Sequence, residues 1–273
     1  MHAGDDTTHW RVKLVLHYDG RDFYGWQTQT NRRTVQGELS ALLGRLCGVD
    51  AVSVTAAGRT DRGVHATGQV ASALIPNRFD ERELVRALNA LAPSDLWIES
   101  AEPVPESFHP RYDALSRTYV YRVGLSPGSR SPFEHRWCWP VGHSLDRERI
   151  DAAASCIAGE HDFGAFAKSG QPERGVRCNV SSAFWREAAR DAGILEFEIT
   201  ADRFLHHMVR YLVGTLVATG RGLRPVDHVG RLLEGEPGLK AAPPAPAQGL
   251  FLARVDYTSG QTEAKARGKG ESE

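Results

Sequence analysis

Residues 11–18, Arg-Val-Lys-Leu-Val-Leu-His-Tyr, carry an apolar side chain at every second position. This period of two predicts a β-strand with one buried face, and Asp19-Gly20 would end it. After a polar loop, Thr34 precedes a second apolar pattern, now with helical spacing, and is a suitable N-cap. The members of that helical stripe are Val35, Leu39, Leu42, Leu43 and Leu46. The chain therefore opens with a predicted strand followed by a predicted helix.

The same unit continues through Trp97. The pattern predicts a strand over 52–57, a polar turn over 58–63 and a strand over 64–75. Asp80-x-x-Glu83 resembles a capping box that opens a second helix, and a short strand follows around Trp97. The resulting order, β-α-β-β-α-β, is that of the ferredoxin-like unit.

The second half repeats this plan with insertions. Strands are predicted over 118–123, 176–185, 194–200 and 250–257, and helices over 146–158, 204–219 and 226–233. The sequence thus predicts an α+β fold of two ferredoxin-like, RRM-like halves with antiparallel sheets, which share a cleft. We place the N-terminal domain at 10–112 and the C-terminal domain at 113–258. Residues 1–9 and 259–273 lack apolar periodicity and are predicted to be disordered.

Composition excludes a protein that binds nucleic acid through its net charge alone. The 273 residues include 33 Lys and Arg against 34 Asp and Glu, for a formal net charge of -1. Any nucleic-acid site must therefore be a local basic patch. The sequence shows no secretory signal and no apolar run long enough to cross a bilayer, so we expect a soluble, cytoplasmic protein with no membrane contact. The four cysteines form no C-x-x-C pair, which argues against a disulfide framework or a zinc site.

The segment Gly58-Arg59-Thr60-Asp61-Arg62-Gly63-Val64-His65 is the strongest candidate for chemistry. Asp61 lies between Arg59 and Arg62 in a loop that joins two predicted strands, and such loops often carry catalytic groups. Nearby positive charge would lower the pKa of Asp61 and keep it available as a base or nucleophile. The same pattern is also typical of an ordinary β-turn with a surface ion pair.

Basic residues recur at the start of the helix predicted from residue 204. Arg203, His206, His207 and Arg210 have the spacing of one helical face. This edge could be merely solvated, could meet a phosphate backbone, or could direct one arginine to a catalytic carboxylate. No acidic residue completes a ligand set with the adjacent histidines, so no metal site is predicted.

Aromatic side chains accompany arginine on the strand after residue 116. Arg117, Tyr119 and Tyr121 share one face of that strand. Aromatic rings beside arginine on a sheet can stack on splayed bases, although such tyrosines are often ordinary core residues.

These segments together resemble the tRNA pseudouridine synthase A family. The similarity extends from Val12 to Tyr257, and the Gly-Arg-Thr-Asp and Phe-Leu-His-His-Met-Val-Arg segments are its most specific parts. In chain order, the matching segments are Tyr18–Gly20, Phe23–Gln27, Thr34–Gly37, Gly58–Ala66, Phe108–Arg111, Arg117–Tyr121, His161–Phe163, Phe204–Arg210 and Gly249–Leu252.

The resemblance implies isomerisation of uridine to pseudouridine at positions 38, 39 and 40 of the tRNA anticodon stem-loop. It further implies a homodimer that needs neither cofactor nor metal, with a central RNA-binding, active-site cleft. Asp61 matches the family's catalytic aspartate. Tyr119 matches the tyrosine that stacks on the target base and is implicated in proton removal from C5, and Arg210 matches the arginine that pairs with the aspartate.

Further substrate contacts follow from the same resemblance. Leu250 or Leu252 would line the uracil pocket, and basic residues would contact the tRNA: Arg59, Arg62, Arg203, His206 and His207. Many relatives carry alanine at the position of Arg62, where we expect an added phosphate or turn contact.

The reaction itself requires a group such as Asp61. The N1–C1′ bond must break, the base must turn and a C5–C1′ bond must form while the base stays trapped. The sequence leaves open whether Asp61 attacks C6, attacks C1′ or removes a sugar proton. A non-catalytic RNA-binding protein with tandem RRM-like domains is the main alternative, although the RRM strand motif is absent. A carboxylate-based hydrolase is a weaker one, because no supporting second acid is evident.

Overall fold

A computed structural model describes residues 9–168, 175–189 and 193–258. Of the termini predicted to be disordered, residues 1–8 and 259–273 lie outside the described residues, whereas His9 is the first residue of a strand. The chain divides into two compact units. Unit 1 comprises Met1–Leu115 and Arg254–Glu273, and unit 2 comprises Ser116–Ala253. The division falls three residues after the boundary expected from the sequence and returns the final residues to unit 1.

Unit 1 contains four strands and two helices before residue 115. They are β1 (His9–Tyr18), α1 (Val35–Cys47), β2 (Val54–Ala56), β3 (His65–Pro76), α2 (Glu81–Leu91) and β4 (Leu96–Val104). The strand order is β4-β1-β3-β2, and every pairing in it is antiparallel. The two strands adjoining the polar turn over 58–63, β2 and β3, are therefore neighbours in the sheet.

The local sequence explains these elements. Val12, Leu14, Leu16 and Tyr18 are buried on alternate positions of β1, as a strand with one core face requires. The Thr34 hydroxyl accepts a hydrogen bond from the Gly37 amide and caps α1. The Asp80 side chain accepts from the Glu83 amide while the Glu83 side chain accepts from the Asp80 amide, so the capping box predicted for α2 is formed.

Unit 2 follows with more irregular segments. It contains β5 (Ser116–Gly124), β6 (Trp139–Pro140), α3 (Arg147–Ala154), β7 (Gly159–Asp162), β8 (Arg177–Glu187), β9 (Ile194–Ala201), α4 (Met208–Gly220), α5 (His228–Leu233) and the first part of β10 (Leu250–Asp256). β5, β9, β8 and β7 pair antiparallel in that order, and β6 pairs parallel with β5. The fold is thus mixed α+β with mostly antiparallel pairing.

The helix predicted over 204–219 begins later than expected. α4 starts at Met208, and His207 before it has φ of +65°, a left-handed conformation that no helical residue adopts. Residues 203–207 therefore lie outside the helix, and the prediction of one basic helical face was wrong. Periodicity misled here because the spacing of 203, 206, 207 and 210 is meaningful only if all four residues are helical.

Among the described residues, no helix combines the length and apolar character needed to cross a bilayer.

We expect Asp80→Ala to lower the free energy of unfolding by about 1 kcal/mol, because the Glu83 amide at the first turn of α2 loses its acceptor. Urea denaturation monitored by circular dichroism measures this change. Glu81→Ala removes the same charge from the same turn but leaves the cap intact, and should cost only a few tenths of that amount. Equal losses in the two variants would contradict a role for the cap.

Candidate active site

Asp61 lies half-buried in the loop between β2 and β3. Backbone hydrogen bonds hold the loop on both sides of it. The Trp26 amide donates to the Thr60 carbonyl oxygen at 3.0 Å, and the Val64 amide donates to the Asp61 carbonyl oxygen at 3.1 Å. The backbone of the Asp61 loop is therefore held by main-chain contacts within unit 1.

A hydrogen-bonded network of buried, uncharged side chains holds the Asp61 loop. The Tyr18 and Thr60 hydroxyls are hydrogen-bonded at 2.8 Å, and the Gln69 amide donates to the Gly58 carbonyl oxygen at 2.9 Å and to the Tyr18 oxygen at 3.3 Å. Burial raises the pKa of Tyr18 to about 12, although its hydrogen bonds to Thr60 and Gln69 oppose this shift. Tyr18 therefore remains a protonated hydroxyl at neutral pH and can donate to Thr60.

Two glycines allow the preceding loop to approach the Asp61 loop. A Cβ atom on Gly25 would lie 2.6 Å from the Thr60 carbonyl oxygen, and Gly25 also has φ of +86°. A Cβ on Gly20 would lie 2.0 Å from the Val64 carbonyl oxygen. Only glycine fits these positions, since the atoms opposite are backbone that cannot move aside.

A charged cluster lies beside this contact. The Asp19 carboxylate accepts hydrogen bonds from Arg21 Nε at 2.9 Å and Nη2 at 2.6 Å. Buried His65 has its Nδ1 atom 3.1 Å from the Gly20 amide and 3.2 Å from Asp19 Oδ1, so it accepts from Gly20 when neutral and pairs with Asp19 when protonated. Burial opposes ionisation of Asp19, but the hydrogen bonds to His65 and Arg21 outweigh it and hold the pKa of Asp19 well below its usual range.

The arginines that flank Asp61 in sequence do not neutralise it. Arg59 is exposed, and the guanidinium of exposed Arg62 lies over the Tyr24 ring, 4.3 Å from its centroid. Within the described ranges neither arginine forms an ion pair with Asp61. Adjacency in the sequence therefore does not bring the charged ends of these side chains together, because the chain turns within this loop.

In unit 2, Tyr119 lies on the core side of β5. Its side chain is 9% exposed, and its ring meets the Phe204 ring edge-on at a centroid distance of 4.9 Å. Tyr121, two residues on, is fully buried and donates its hydroxyl to the Pro246 carbonyl oxygen at 2.7 Å. Tyr121 is thus a core tyrosine. Of the two, only Tyr119 remains a candidate for stacking on an RNA base.

Arg210 lies in the first turn of α4 and is held by the segment before β10. Arg210 Nε donates to the Ala245 carbonyl oxygen at 2.7 Å, and the Ala245 amide donates to the Arg210 carbonyl oxygen at 2.9 Å. A Cβ on Gly214 would lie 2.1 Å from the Pro243 carbonyl oxygen, so this segment packs directly on the helix. The proline-rich stretch therefore positions Arg210, a role that its composition alone did not indicate.

The histidines lie next to Arg210. The His206 and His207 rings are 4.2 Å apart, and Arg210 Nη1 lies 3.4 Å from His207 Nε2. The structure thus brings these three predicted residues together within unit 2. Arg203 donates from Nη1 to the Arg177 carbonyl oxygen at 3.4 Å.

The two leucines assigned to the uracil pocket lie in the first part of β10. Leu250 is 6% exposed, and Leu252 is fully buried. Both are therefore largely enclosed by the protein.

Comparison with known proteins identifies the family. The sequence profile described as tRNA pseudouridine synthase matches residues 14–113 and 153–258, which is more than half of the chain. The chain belongs to the tRNA pseudouridine synthase family. The resemblance inferred from the sequence motifs is thereby confirmed, and the protein is an enzyme that isomerises uridine to pseudouridine.

Individual relatives agree with this family. A protein named tRNA pseudouridine synthase A from Halalkalibacterium halodurans is 38% identical over 93% of this chain and 95% of its own length. One of the same name from Burkholderia ambifaria is 39% identical over 90% of both chains.

Among solved structures, an archaeal box H/ACA sRNP Nop10–Cbf5 complex matches with a TM-score of 0.37 and 13% identity, over 92% of this chain and 49% of that one.

We expect Gly25→Ala to reduce turnover at least about tenfold, because the new methyl group displaces the Thr60 carbonyl and shifts the neighbouring carboxylate. Initial rates with saturating tRNA measure the effect. Gly48→Ala is the matched control, since Gly48 also has a positive φ, +72°, but meets nothing within 4 Å. If Gly25→Ala loses no more activity than Gly48→Ala, the close approach does not position the loop.

The low pKa of Asp19 predicts a pH-dependent contribution to stability. A group whose pKa is lower in the folded state stabilises it above the unfolded pKa, about 3.9, and this contribution is lost as pH falls through the lower folded pKa. We expect Asp19→Asn to reduce the free energy of unfolding at neutral pH and to reduce it progressively less as the pH falls below 4. Urea titrations across pH measure this. Asp22→Asn makes the same change at a neighbouring exposed aspartate and is the matched control.

Proposed function

We propose that this isomerase modifies the uridines at positions 38, 39 and 40 in the anticodon stem-loop of tRNA, with Asp61 as the catalytic carboxylate acting on a flipped-out nucleotide. The observation that carries the proposal is the rigid attachment of the Asp61 loop. Its backbone is bonded to Trp26 and its Thr60 hydroxyl to buried Tyr18, while Asp61 itself stays half-exposed. The three positions follow from the motif resemblance to the synthase A group, whose name the relatives carry.

The chemistry suits a single positioned carboxylate. A paired uridine must first be unstacked, at a cost of a few kcal/mol that contacts to the RNA must offset. The N1–C1′ bond then breaks, the base turns and a C5–C1′ bond forms, while C5 loses its proton and N1 gains one, so that no atom or electron is gained or lost overall. Asp61 assists this exchange, and holding both fragments in place makes recombination effectively unimolecular.

The remaining residues take supporting roles in this proposal. Tyr119 stacks on the target base, and Arg210 pairs with the catalytic carboxylate. Leu250 or Leu252 contacts the uracil. Contacts to the tRNA backbone come from Arg59, Arg62, Arg203, His206 and His207. The orientation of Arg210 by Ala245 supports its role, because a guanidinium with one nitrogen already bonded loses less freedom when it binds a second partner.

The proposal includes the fold and the assembly. Both units would be versions of one ferredoxin-like plan, since β4-β1-β3-β2 of unit 1 is matched by β10-β5-β9-β8 of unit 2, with helices in equivalent places of the chain. Two copies of the chain would form a homodimer that acts on tRNA in the cytoplasm, without a cofactor or a metal ion.

We expect Asp61→Asn to lower pseudouridine formation by on the order of a thousandfold or more, with tRNA affinity within a few fold of wild type. Base-resolved mapping of pseudouridine in tRNA treated with purified protein measures both the rate and the positions. Asp22→Asn is the control, since it makes the same change at an exposed aspartate of unit 1. Near-normal turnover by Asp61→Asn would exclude Asp61 as the catalyst. Modification at uridines outside the three positions would exclude the proposed target, and tRNA binding without any product would favour the non-catalytic alternative.

A further inference from the structure

Two arginines of unit 1 share one aromatic ring. The Arg32 and Arg62 guanidinium carbons lie over the Tyr24 ring at 4.4 and 4.3 Å from its centroid, and Arg32 Nη1 donates to the Tyr24 hydroxyl at 3.0 Å. We refer to Tyr24, Arg32 and Arg62 as the arginine stack. The stack brings two permanent positive charges to one place on a protein whose net charge is only -1.

The backbone around Tyr24 and Arg32 is well fixed. The Tyr24 amide donates to the Arg33 carbonyl oxygen at 2.8 Å, and the Gln29 side-chain amide donates to the Tyr24 carbonyl oxygen at 2.9 Å. Arg32 closes a tight turn in which its amide donates to the Gln29 carbonyl and Asn31 has φ of +58°. The ring and the first arginine are therefore positioned before any ligand arrives.

Arg62 belongs to the Asp61 loop, which is bonded to the same segment. Gly25, next to Tyr24, is in backbone contact with Thr60, and the Trp26 amide donates to the Thr60 carbonyl. The second arginine is thus held against the ring by the contacts that fix Asp61. Because Arg62 is the next residue after Asp61, the stack lies beside the carboxylate loop.

The charges of the stack are not compensated, in contrast to those of its neighbours. Arg33 forms two hydrogen bonds with the Asp95 carboxylate, and Arg21 does the same with Asp19. Among residues 9–168, 175–189 and 193–258, neither Arg32 nor Arg62 pairs with a carboxylate. Because both guanidinium carbons lie within 4.4 Å of the same ring centroid, the two positive charges repel each other, and a bound anion would offset that cost.

A phosphate group fits this arrangement. The planar guanidinium presents paired donors that match phosphate oxygens, and stacking on an aromatic face leaves its edge donors available. The substrate of the family is an RNA, which carries one phosphate per nucleotide. Local positive charge that contacts the backbone is typical of proteins that bind single-stranded or unstacked RNA.

We propose that the arginine stack binds one phosphate of the RNA backbone next to the nucleotide on which Asp61 acts. Arg32 and Arg62 hold the phosphate together, and Tyr24 keeps both guanidiniums in place. The inference rests on the proposed function in one respect, because it takes Asp61 to mark the reacting nucleotide.

Salt dependence of tRNA binding tests the stack. Affinity falls as salt rises, and each phosphate neutralised by the protein adds about 0.7 to 0.9 to the magnitude of the slope of log affinity against log salt concentration. The word slope below refers to this magnitude. We expect the double variant Arg32→Ala/Arg62→Ala to raise the Kd for unmodified tRNA about tenfold or more and to lower the slope by about one. Each single variant should give most of this effect, since either loss breaks the shared clamp.

Control variants separate stacking from charge. Arg86→Ala removes one exposed arginine from α2 and should leave the slope close to wild type, because Arg86 lies over no ring among the described residues. Arg32→Lys/Arg62→Lys keeps both charges and serves where the alanine variants fold poorly, as judged by thermal melting. We expect it to keep the slope but weaken binding, since lysine lacks the planar fork.

Several outcomes would overturn the inference. An unchanged slope in the double variant would show that no phosphate is bound there, and slope losses that add up to two would show two separate phosphates. Binding to the isolated anticodon stem-loop tests where the phosphate lies. A loss of slope seen with whole tRNA but not with the stem-loop would place the phosphate away from the target nucleotide. A Kd rise equal to that of Arg86→Ala would indicate a general charge effect.

The same measurements distinguish this inference from the proposed function. If Asp61→Asn stays active while the double variant loses one unit of slope, the catalytic assignment fails and the phosphate site stands. If Asp61→Asn is inactive with a wild-type slope while the double variant also has a wild-type slope, the catalyst stands and the stack has no role in binding.

Discussion

Two backbone segments of unit 1, residues 20–26 and 60–64, approach each other too closely for side chains to intervene. Gly20 faces the Val64 carbonyl and Gly25 faces the Thr60 carbonyl, at distances where a Cβ atom would overlap oxygen. The hydrogen bond from the Trp26 amide to Thr60 closes the contact. Everything proposed for the catalytic loop depends on this approach, because it converts a polar turn between two strands into a fixed support for Asp61.

The arginines near the Asp61 loop fall into two groups, those that pair with a carboxylate and those that do not. Arg21 and Arg33 are bonded to carboxylates and stabilise the loop, whereas Arg32 and Arg62 are gathered on one tyrosine without such partners. A near-neutral protein can therefore present a local basic site, since Arg21 and Arg33 are compensated by carboxylates while Arg32 and Arg62 are not. That distribution matches an RNA-binding enzyme whose affinity must be directed to one place on its substrate.

Sequence patterns predicted elements well where local chemistry controls them. The alternation in β1, the Thr34 cap and the Asp80–Glu83 capping box depend on neighbours within a few residues, and each is formed. The predicted start of α4 was wrong because His207 adopts a left-handed backbone conformation, which a histidine in the sequence does not indicate. The placement of Arg62 has a related reason: the direction of a side chain on a turn depends on what packs against the turn, and Arg62 lies over the Tyr24 ring.

The sequence by itself determined the family, the enzyme class and the residues that carry its motifs, because these are properties of residue identity and order. The tertiary structure alone decided that Tyr121 is a core residue, that Ala245 holds Arg210 and that Tyr24 gathers two arginines. Each of these depends on contacts between segments distant in the chain. Periodicity records only which face of an element is buried, whereas such contacts depend on how the elements pack, and a single sequence does not encode that packing in any local pattern.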